Sequence, residues 1–430
     1  MAFYKFPENF KWGSATSAHQ IEGNNHNDWT EWETSKLRVE SLKIKGLDPN
    51  NFISGRACDS YNRYEEDFDI AKKLNQNIHR FSIEWSRIEP KEGRFDEKEM
   101  QHYVNVVRAL RDRGIEPMIT LWHFTNPTWF ARKGGFINID SPTYFTRYVK
   151  YVVEHLKDQN VRLWITFNEA TDVYSSHSYF IRKWLPQHRN ILEWRRVNKN
   201  IVKSHIAVYK EIQNIYSPAE SFNEVRPRIS KEVEPRDPSQ ASHNVEVGMA
   251  IRNTWSVGGN NFYEKIIGEL YNYYRNMYFW TEAFPYYDFM GLNYYEIDRR
   301  VPGSYKTLPK QDWWMKDMSW ELYPKGIYYV LKQLTKFKKP IFITENGYSG
   351  PDDERQRYVK EHLKWVWQAI QDGVDVWGYT YWSLLDNFEW DHGYTPKFGL
   401  VEVNYKTFER HIRPSAWEYA KICKDNQLEY

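Results

Sequence analysis

Ile341-Phe342-Ile343-Thr344-Glu345-Asn346-Gly347 is a short apolar, β-branched run that stops abruptly at a carboxylate, an amide and a glycine. Runs of the same kind recur over Phe10–Ala15, Ile78–Ile83, Glu116–Leu121, Val161–Phe167, Phe289–Tyr294 and Val376–Trp382, with a less marked one over Val245–Ile251. Helical patterns fill the spacers. Segment 97–113 puts Met100, Tyr103, Val104, Val107 and Leu110 on one face before the stop at Gly114. Ser141-Pro142 opens another helix, striped by Phe145, Tyr148, Val149, Val152 and Leu156. Segment 353–372 repeats the theme with Val359, Leu363, Val366 and Ile370, then Gly373. Strands alternating with helices argue for βα units on a parallel sheet, and eight strands predict one (β/α)8 barrel spanning residues 1–430.

Nearly every run ends in a polar cluster: Gln20 with Glu22, Glu84 with Arg87, His123, Asn168-Glu169, Asn293 with Tyr295, Glu345-Asn346, and Asp386 with Glu389. In a barrel those carboxyl ends converge on one face, where active sites are built. One stretch breaks the pattern. Residues 217–240 carry Pro218, Pro227, Pro235 and Pro238 among mixed charges. They are expected to form a mobile loop, with the barrel irregular and loosened around its fourth to sixth βα units.

Composition narrows the function. The 59 basic and 57 acidic side chains leave a net +2, which offers neither a nucleic-acid footprint nor a polybasic membrane patch. Cys58 and Cys423 are too few for a disulfide framework and fit a reducing compartment. The first ten residues lack an apolar signal core, and no apolar run reaches 18 residues, so a cytoplasmic location is expected. Aromatic residues make up 17% of the chain, 20 of them Trp. Such rings suit either a packed core or a cleft for sugar faces.

The sequence contains no H-E-x-x-H, EF-hand loop or P-loop, and its 13 histidines lack metal-ligand spacing. A G-x-S-x-G elbow is absent too. Neither a metal nor an organic cofactor is expected. What stands out is a pair of glutamates, Glu169 and Glu345, each ending an apolar strand. Two such carboxylates at a barrel mouth fit cleavage of a glycosidic bond, one protonating the leaving oxygen while the other attacks the anomeric carbon. On the residues alone, two structurally satisfied strand-end carboxylates remain the alternative.

Four motifs sharpen this reading: Phe10-Lys11-Trp12-Gly13-Ser14-Ala15-Thr16-Ser17-Ala18-His19-Gln20-Ile21-Glu22-Gly23, Asn168-Glu169, Ile343–Gly347, and Trp382-Ser383-Leu384-Leu385-Asp386-Asn387-Phe388-Glu389-Trp390. Together, and in this order, they resemble glycoside hydrolase family 1, whose members are retaining β-glycosidases on a (β/α)8 barrel. The resemblance runs from about residue 4 to 420 and is weak between about 171 and 285. It implies Glu345 as nucleophile and Glu169 as general acid/base. Arg80 and Tyr295 would hold the nucleophile ionised, and the apolar strand before Glu169 should favour its protonated form. Gln20, His123, Asn168, Asn293, Glu389 and Trp390 would line the sugar subsite over Trp382, while Asp386 is structural. The sequence departs from the family where Ala170 replaces a proline and where Phe124, Thr125 and Asn126 follow the histidine. The expected function is a retaining exo-β-glucosidase acting on terminal unphosphorylated β-D-glucosides, with side activity on β-galactosides and β-fucosides. Its partner would be a small β-glycoside or short oligosaccharide. Neither nucleic acid nor membrane is an expected partner, and the sequence does not specify an oligomeric state. A transglycosidase, or a sugar-binding pseudoenzyme without turnover, are the alternatives.

Overall fold

A computed structural model of the chain describes residues 3–217, 245–256, 261–298, 314–315, 318 and 320–430. Eight parallel strands close into one barrel: β1 (Lys11–Ala15), β2 (Ile78–Ser82), β3 (Glu116–Thr120), β4 (Leu163–Asn168), β5 (Glu246–Arg252), β6 (Phe289–Asn293), β7 (Ile341–Asn346) and β8 (Val376–Trp382). Neighbours in the barrel are neighbours in sequence, and β8 returns to β1 through Gly378↔Lys11 to Trp382↔Ala15. Each strand is followed by a principal helix: α1 (Ser60–Lys73), α2 (Glu97–Asp112), α3 (Ser141–Leu156), α4 (Ile191–Tyr216), α5 (Phe262–Asn272), α6 (Pro324–Leu334), α7 (Asp352–Gln371) and α8 (Pro414–Asp425).

The helical stripes face the sheet as their spacing requires. Met100, Tyr103, Val104, Val107 and Leu110 of α2 are buried, as are Phe145, Tyr148, Val149, Val152 and Leu156 of α3. On α7, Val359, Leu363 and Val366 are buried, whereas Ile370 near the C-terminal end is half-buried. Asp96 caps α2 by accepting from the Lys98 and Glu99 N–H groups, and Asn190 does the same for α4.

Inside the barrel, Ile78, Met118, Ile165, Ala250, Phe289 and Phe342 form a separate apolar cluster below the strand ends. Burying each large side chain there contributes about 1.5–3 kcal/mol. The interior is therefore plugged, and a ligand can enter only above this layer.

One expectation needs correction. The strand near Val245–Ile251 is not a loosened element: β5 pairs with β4 from Leu163↔Glu246 and with β6 from Gly248↔Phe289 to Arg252↔Asn293. Its pattern looked faint because Gly248 and Ala250 leave room inside a crowded barrel; a Cβ on Gly248 would lie 2.7 Å from the Phe289 carbonyl oxygen. The fifth strand is thus a fully paired member of the barrel. Apart from Ser217, the expected mobile loop 217–240 lies outside the described residues.

Candidate active site

Register shifts act at the two strands that carry the glutamates. The β4–β5 pairing slips between Ile165 and Asn168, and β7 slips against β6 between Ile343 and Glu345. A bulge re-aims the side chains that follow it. Phe167 consequently packs outward on Phe145, ring centroids 4.4 Å apart, while Asn168 and Glu169 face the barrel mouth. Glu169 adopts φ 45°, a left-handed conformation that costs a non-glycine residue about 1–3 kcal/mol and is typical of functional turns. Just after β7, Gly347 must be glycine: a Cβ there would lie 1.7 Å from the Trp382 carbonyl oxygen.

Glu345 is held at both oxygens. Arg80 Nη1 donates to Oε1 at 2.6 Å, and the Tyr295 hydroxyl donates to Oε2 at 2.6 Å. Arg80 is itself fixed by Thr120 Oγ1 at 3.1 Å and Asn168 Oδ1 at 2.7 Å. Asn293 donates to Glu169 Oε1 at 2.8 Å and to Asn168 Oδ1 at 3.1 Å, and its own carbonyl accepts from Thr344 Oγ1. One continuous network therefore joins both glutamates, Arg80, Tyr295, Asn168 and Asn293, contributed by β2, β4, β6 and β7 and the residues just beyond them.

The electrostatics differ from the expectation that Arg80 and Tyr295 simply keep Glu345 charged. Burial pushes the Glu345 carboxyl up to about 7; Arg80 and Tyr295 pull it down, and the charge of Glu169 pushes it up again. Desolvation wins because the carboxylate is only 4% exposed. Burial likewise lifts Glu389 to about 8, with the Glu345 charge adding to it and Gln20 opposing.

The remaining expected residues surround a cavity of about 1160 Å³ above the pair. His123, Asn168, Trp382, Glu389 and Trp390 lie on its wall. The His123 ring lies nearly parallel to those of Trp382 and Trp390, each centroid 5.9 Å away. Asn168 Nδ2 lies 3.1 Å from His123 Nε2, while Nδ1 has no partner among the described residues. Burial, then the Arg80 charge, keeps this imidazole well below its usual range, hence neutral. Gln20 sits behind the wall. It is fully buried, and its amide donates to Asn387 Oδ1, the Phe388 carbonyl and Glu389 Oε2. Asp386 is structural as expected: Arg413 clasps both its oxygens at 3.0 and 2.7 Å.

The departures from the family pattern are accommodated locally. Phe124 packs on Trp184 and Trp390, Thr125 donates to Glu84, and Asn126 bonds both oxygens of Asp28. Sequence reasoning missed Asp172, Arg252 and Arg275, which also line the cavity. Two signals were available. Arg252-Asn253 is a polar end to the fifth strand, and Asp172 lies about one helical turn beyond Glu169. Trp184 and Trp320 on the same wall had no local signal.

Among the described residues no group of three or more His, Cys, Asp or Glu side chains could hold a metal ion, and no helix is long and apolar enough to cross a membrane. Cys58 and Cys423 are both buried and unbridged.

Comparison with known proteins places this site in context. Beta-glucosidase A of Thermotoga maritima is 32% identical over 464 residues, covering 99% of each chain. The solved structure of a beta-glycosidase from Pyrococcus horikoshii superposes with a TM-score of 0.84 at 32% identity, covering all of this chain and 97% of that one. A family 1 b-glucosidase from Thermotoga maritima in complex with isofagomine lactam gives 0.81 at 28% identity, covering 99% of this chain and all of that one. The family model for glycosyl hydrolase family 1 matches residues 3–428, and the chain belongs to that family.

Proposed function

We propose that this family 1 hydrolase is a retaining exo-β-glucosidase that cleaves terminal, unphosphorylated β-D-glucosides by double displacement. The observation that carries the reading is Glu345, a buried carboxylate clasped by Arg80 and Tyr295 and facing the cavity it shares with Glu169. Glu345 Oε attacks the anomeric carbon as the glycosidic C–O bond breaks, and Glu169 gives its proton to the departing oxygen. Glu169 then takes a proton from water, whose oxygen attacks the same carbon and releases Glu345. Both charge-stabilising donors fall on Glu345 and a neutral amide on Glu169, which suits the nucleophile and acid/base roles respectively. His123, Asn168, Asn293, Glu389 and Trp390 are assigned to the sugar, with Trp382 as its platform and Gln20 holding Glu389. Similarity to beta-glucosidase A supports glucose as the sugar; β-galactosides and β-fucosides are part of the proposal as side substrates. The partner is a small β-glycoside or a short oligosaccharide, the residues call for no cofactor, and the barrel acts as one catalytic domain in the cytoplasm.

A panel of chromogenic aryl glycosides tests the sugar assignment, with the β-glucoside expected to be cleaved fastest. Glu345→Ala should lower turnover by several orders of magnitude, and azide or formate should partly restore it on an activated substrate, giving the α-product. Near-normal activity of Glu345→Ala would remove the nucleophile assignment.

A further inference from the structure

The helix after β5, α5 (Phe262–Asn272), is built unlike α2 and α3. Phe262, Ile266 and Leu270 recur every four residues with Tyr263 and Ile267 beside them, and Tyr274 prolongs the row into the turn Tyr273–Met277. On α2 and α3 such a stripe is buried in the core, but on α5 Gly268 alone of 11 residues is buried. Ile267, Leu270 and Tyr274 instead line the cavity above Glu169 and Glu345, each between 44 and 55% exposed. Phe180 and Ile191, exposed to the same degree, line it too, with the half-buried Trp194. Their rings connect: Phe180 lies 6.0 Å from Trp194, and Trp194 5.9 Å from Tyr274. The Tyr271 hydroxyl donates to Asp298 beyond β6, which holds α5 at the barrel mouth.

A contiguous apolar surface left open to water marks a binding site more often than a stability device. Its position identifies the ligand. In the closed barrel, β4 and β5 stand across from β8 and β1. Glu389 and Trp390, assigned to the sugar, follow β8, and Gln20, which holds Glu389, follows β1. Phe180, Ile191 and Trp194 follow β4, and the α5 row follows β5. Glu169 stands at the end of β4, so the group it protonates and expels faces the apolar wall. The cavity of about 1160 Å³ exceeds the roughly 300–1,000 Å³ that houses a whole drug-sized ligand, so one sugar ring fills only part of it. The charged side chains that these segments bring to the cavity are Arg195 and Arg275, and Arg275 already donates to the Asp172 carbonyl at 3.0 Å. A second sugar on this wall would give up water from its hydroxyls without gaining partners, a loss that a hydrocarbon does not suffer.

We infer that the α5 row, with Phe180, Ile191 and Trp194, is a leaving-group subsite that selects β-glucosides of long apolar alcohols over glucose disaccharides. This rests on the reading of the chain as a β-glucosidase and narrows its substrate class. The sugar is held by polar groups on the β8 and β1 side, while the aglycone gains only by leaving water, so affinity should grow with the apolar area it covers.

The test is kcat/KM for ethyl, butyl, hexyl and octyl β-glucosides, kept below micelle formation, with cellobiose alongside. These alcohols leave with similar basicity, so the trend reports contact rather than chemistry. A fully buried methylene is worth about fourfold, and a chain lying on a half-open wall should gain about twofold per methylene, or about 60-fold from ethyl to octyl. Octyl β-glucoside should also be preferred to cellobiose. The double variant Ile267→Ser with Leu270→Ser should cut the octyl-to-ethyl ratio at least fivefold, chiefly through KM, and Leu270→Met should keep it. Both positions are half-exposed, so the variants should fold, as circular dichroism will show. A flat series, a ratio unmoved in the double variant, or a preference for cellobiose would overturn the inference. If the double variant instead abolishes a dimer on size exclusion, or sedimentation with phosphatidylcholine vesicles, while the alkyl series is flat, the row serves a second copy or a lipid surface and the subsite is refuted. Cleavage of none of the glucosides would sink the β-glucosidase reading and this inference with it; cleavage without the chain-length trend sinks the inference alone.

Discussion

Glu345→Gln separates two opposing influences on the buried carboxylate. Burial raises it from 4.5 to about 7 despite the clasp of Arg80 and Tyr295, a shift of roughly 2.5 units. At about 1.4 kcal/mol per unit, the ionised carboxylate costs the folded state on the order of 3 kcal/mol. Because the folded value lies above the unfolded one, the native state binds more protons between about pH 4.5 and 7. Stability therefore falls as pH rises through that window and stays lower above it. Glutamine mimics the protonated acid in size and in lacking a charge, so the variant should come nearest the wild type near pH 4.5. By pH 8.5 it should be the more stable protein, by a few kcal/mol. Thermal unfolding of both proteins across this range, monitored by circular dichroism, reads the difference directly. A gap independent of pH would refute the reasoning. So would a glutamine variant that is the weaker protein at pH 8.5, because Arg80 would then outweigh desolvation and hold the carboxyl below its ordinary range.

Tyr295→Phe removes a hydrogen bond to a charged group, about 1.5–3 kcal/mol, so kcat should fall roughly 10- to 100-fold. Because the lost hydroxyl pulled Glu345 down, the acid limb of the pH profile should move to higher pH; movement to lower pH would contradict the role. Glu389, lifted to about 8, carries its proton at neutral pH and repels a sugar 6-phosphate only when ionised. The preference for a glucoside over its 6-phosphate, measured as a ratio of kcat/KM, should accordingly grow between pH 6 and 9. A flat ratio would remove Glu389 from that end of the sugar. Asp386→Asn removes the close, buried partner of the Arg413 guanidinium, leaving the longer 3.8 Å pairing with Glu402, and should cost about 3 kcal/mol of stability. The folded fraction should retain the wild-type KM, and a large KM change would return Asp386 to the site.

The sequence by itself determined the strand count, the order of the βα units and the pair of strand-end glutamates. Hydrophobic periodicity and punctuation by polar ends are local properties, written in neighbouring residues such as Ile343-Thr344-Glu345. Asp386 was set aside through the family resemblance, before its bond to Arg413 was seen. The tertiary structure decided what depends on distant partners. β5 looked faint because Gly248 and Ala250 contribute little hydrophobic signal, yet the strand is fixed by β4 and β6 on either side. Gln20 proved to face Glu389 rather than the cavity, since loop 387–389 folds over it. Asp172 and Arg252, 80 residues apart, meet only when adjacent strands align their ends. The charge of Glu345 was the least legible property. Its partners could be named from the motifs, but the balance between them and desolvation depends on how completely the closed barrel excludes water, which no stretch of sequence encodes.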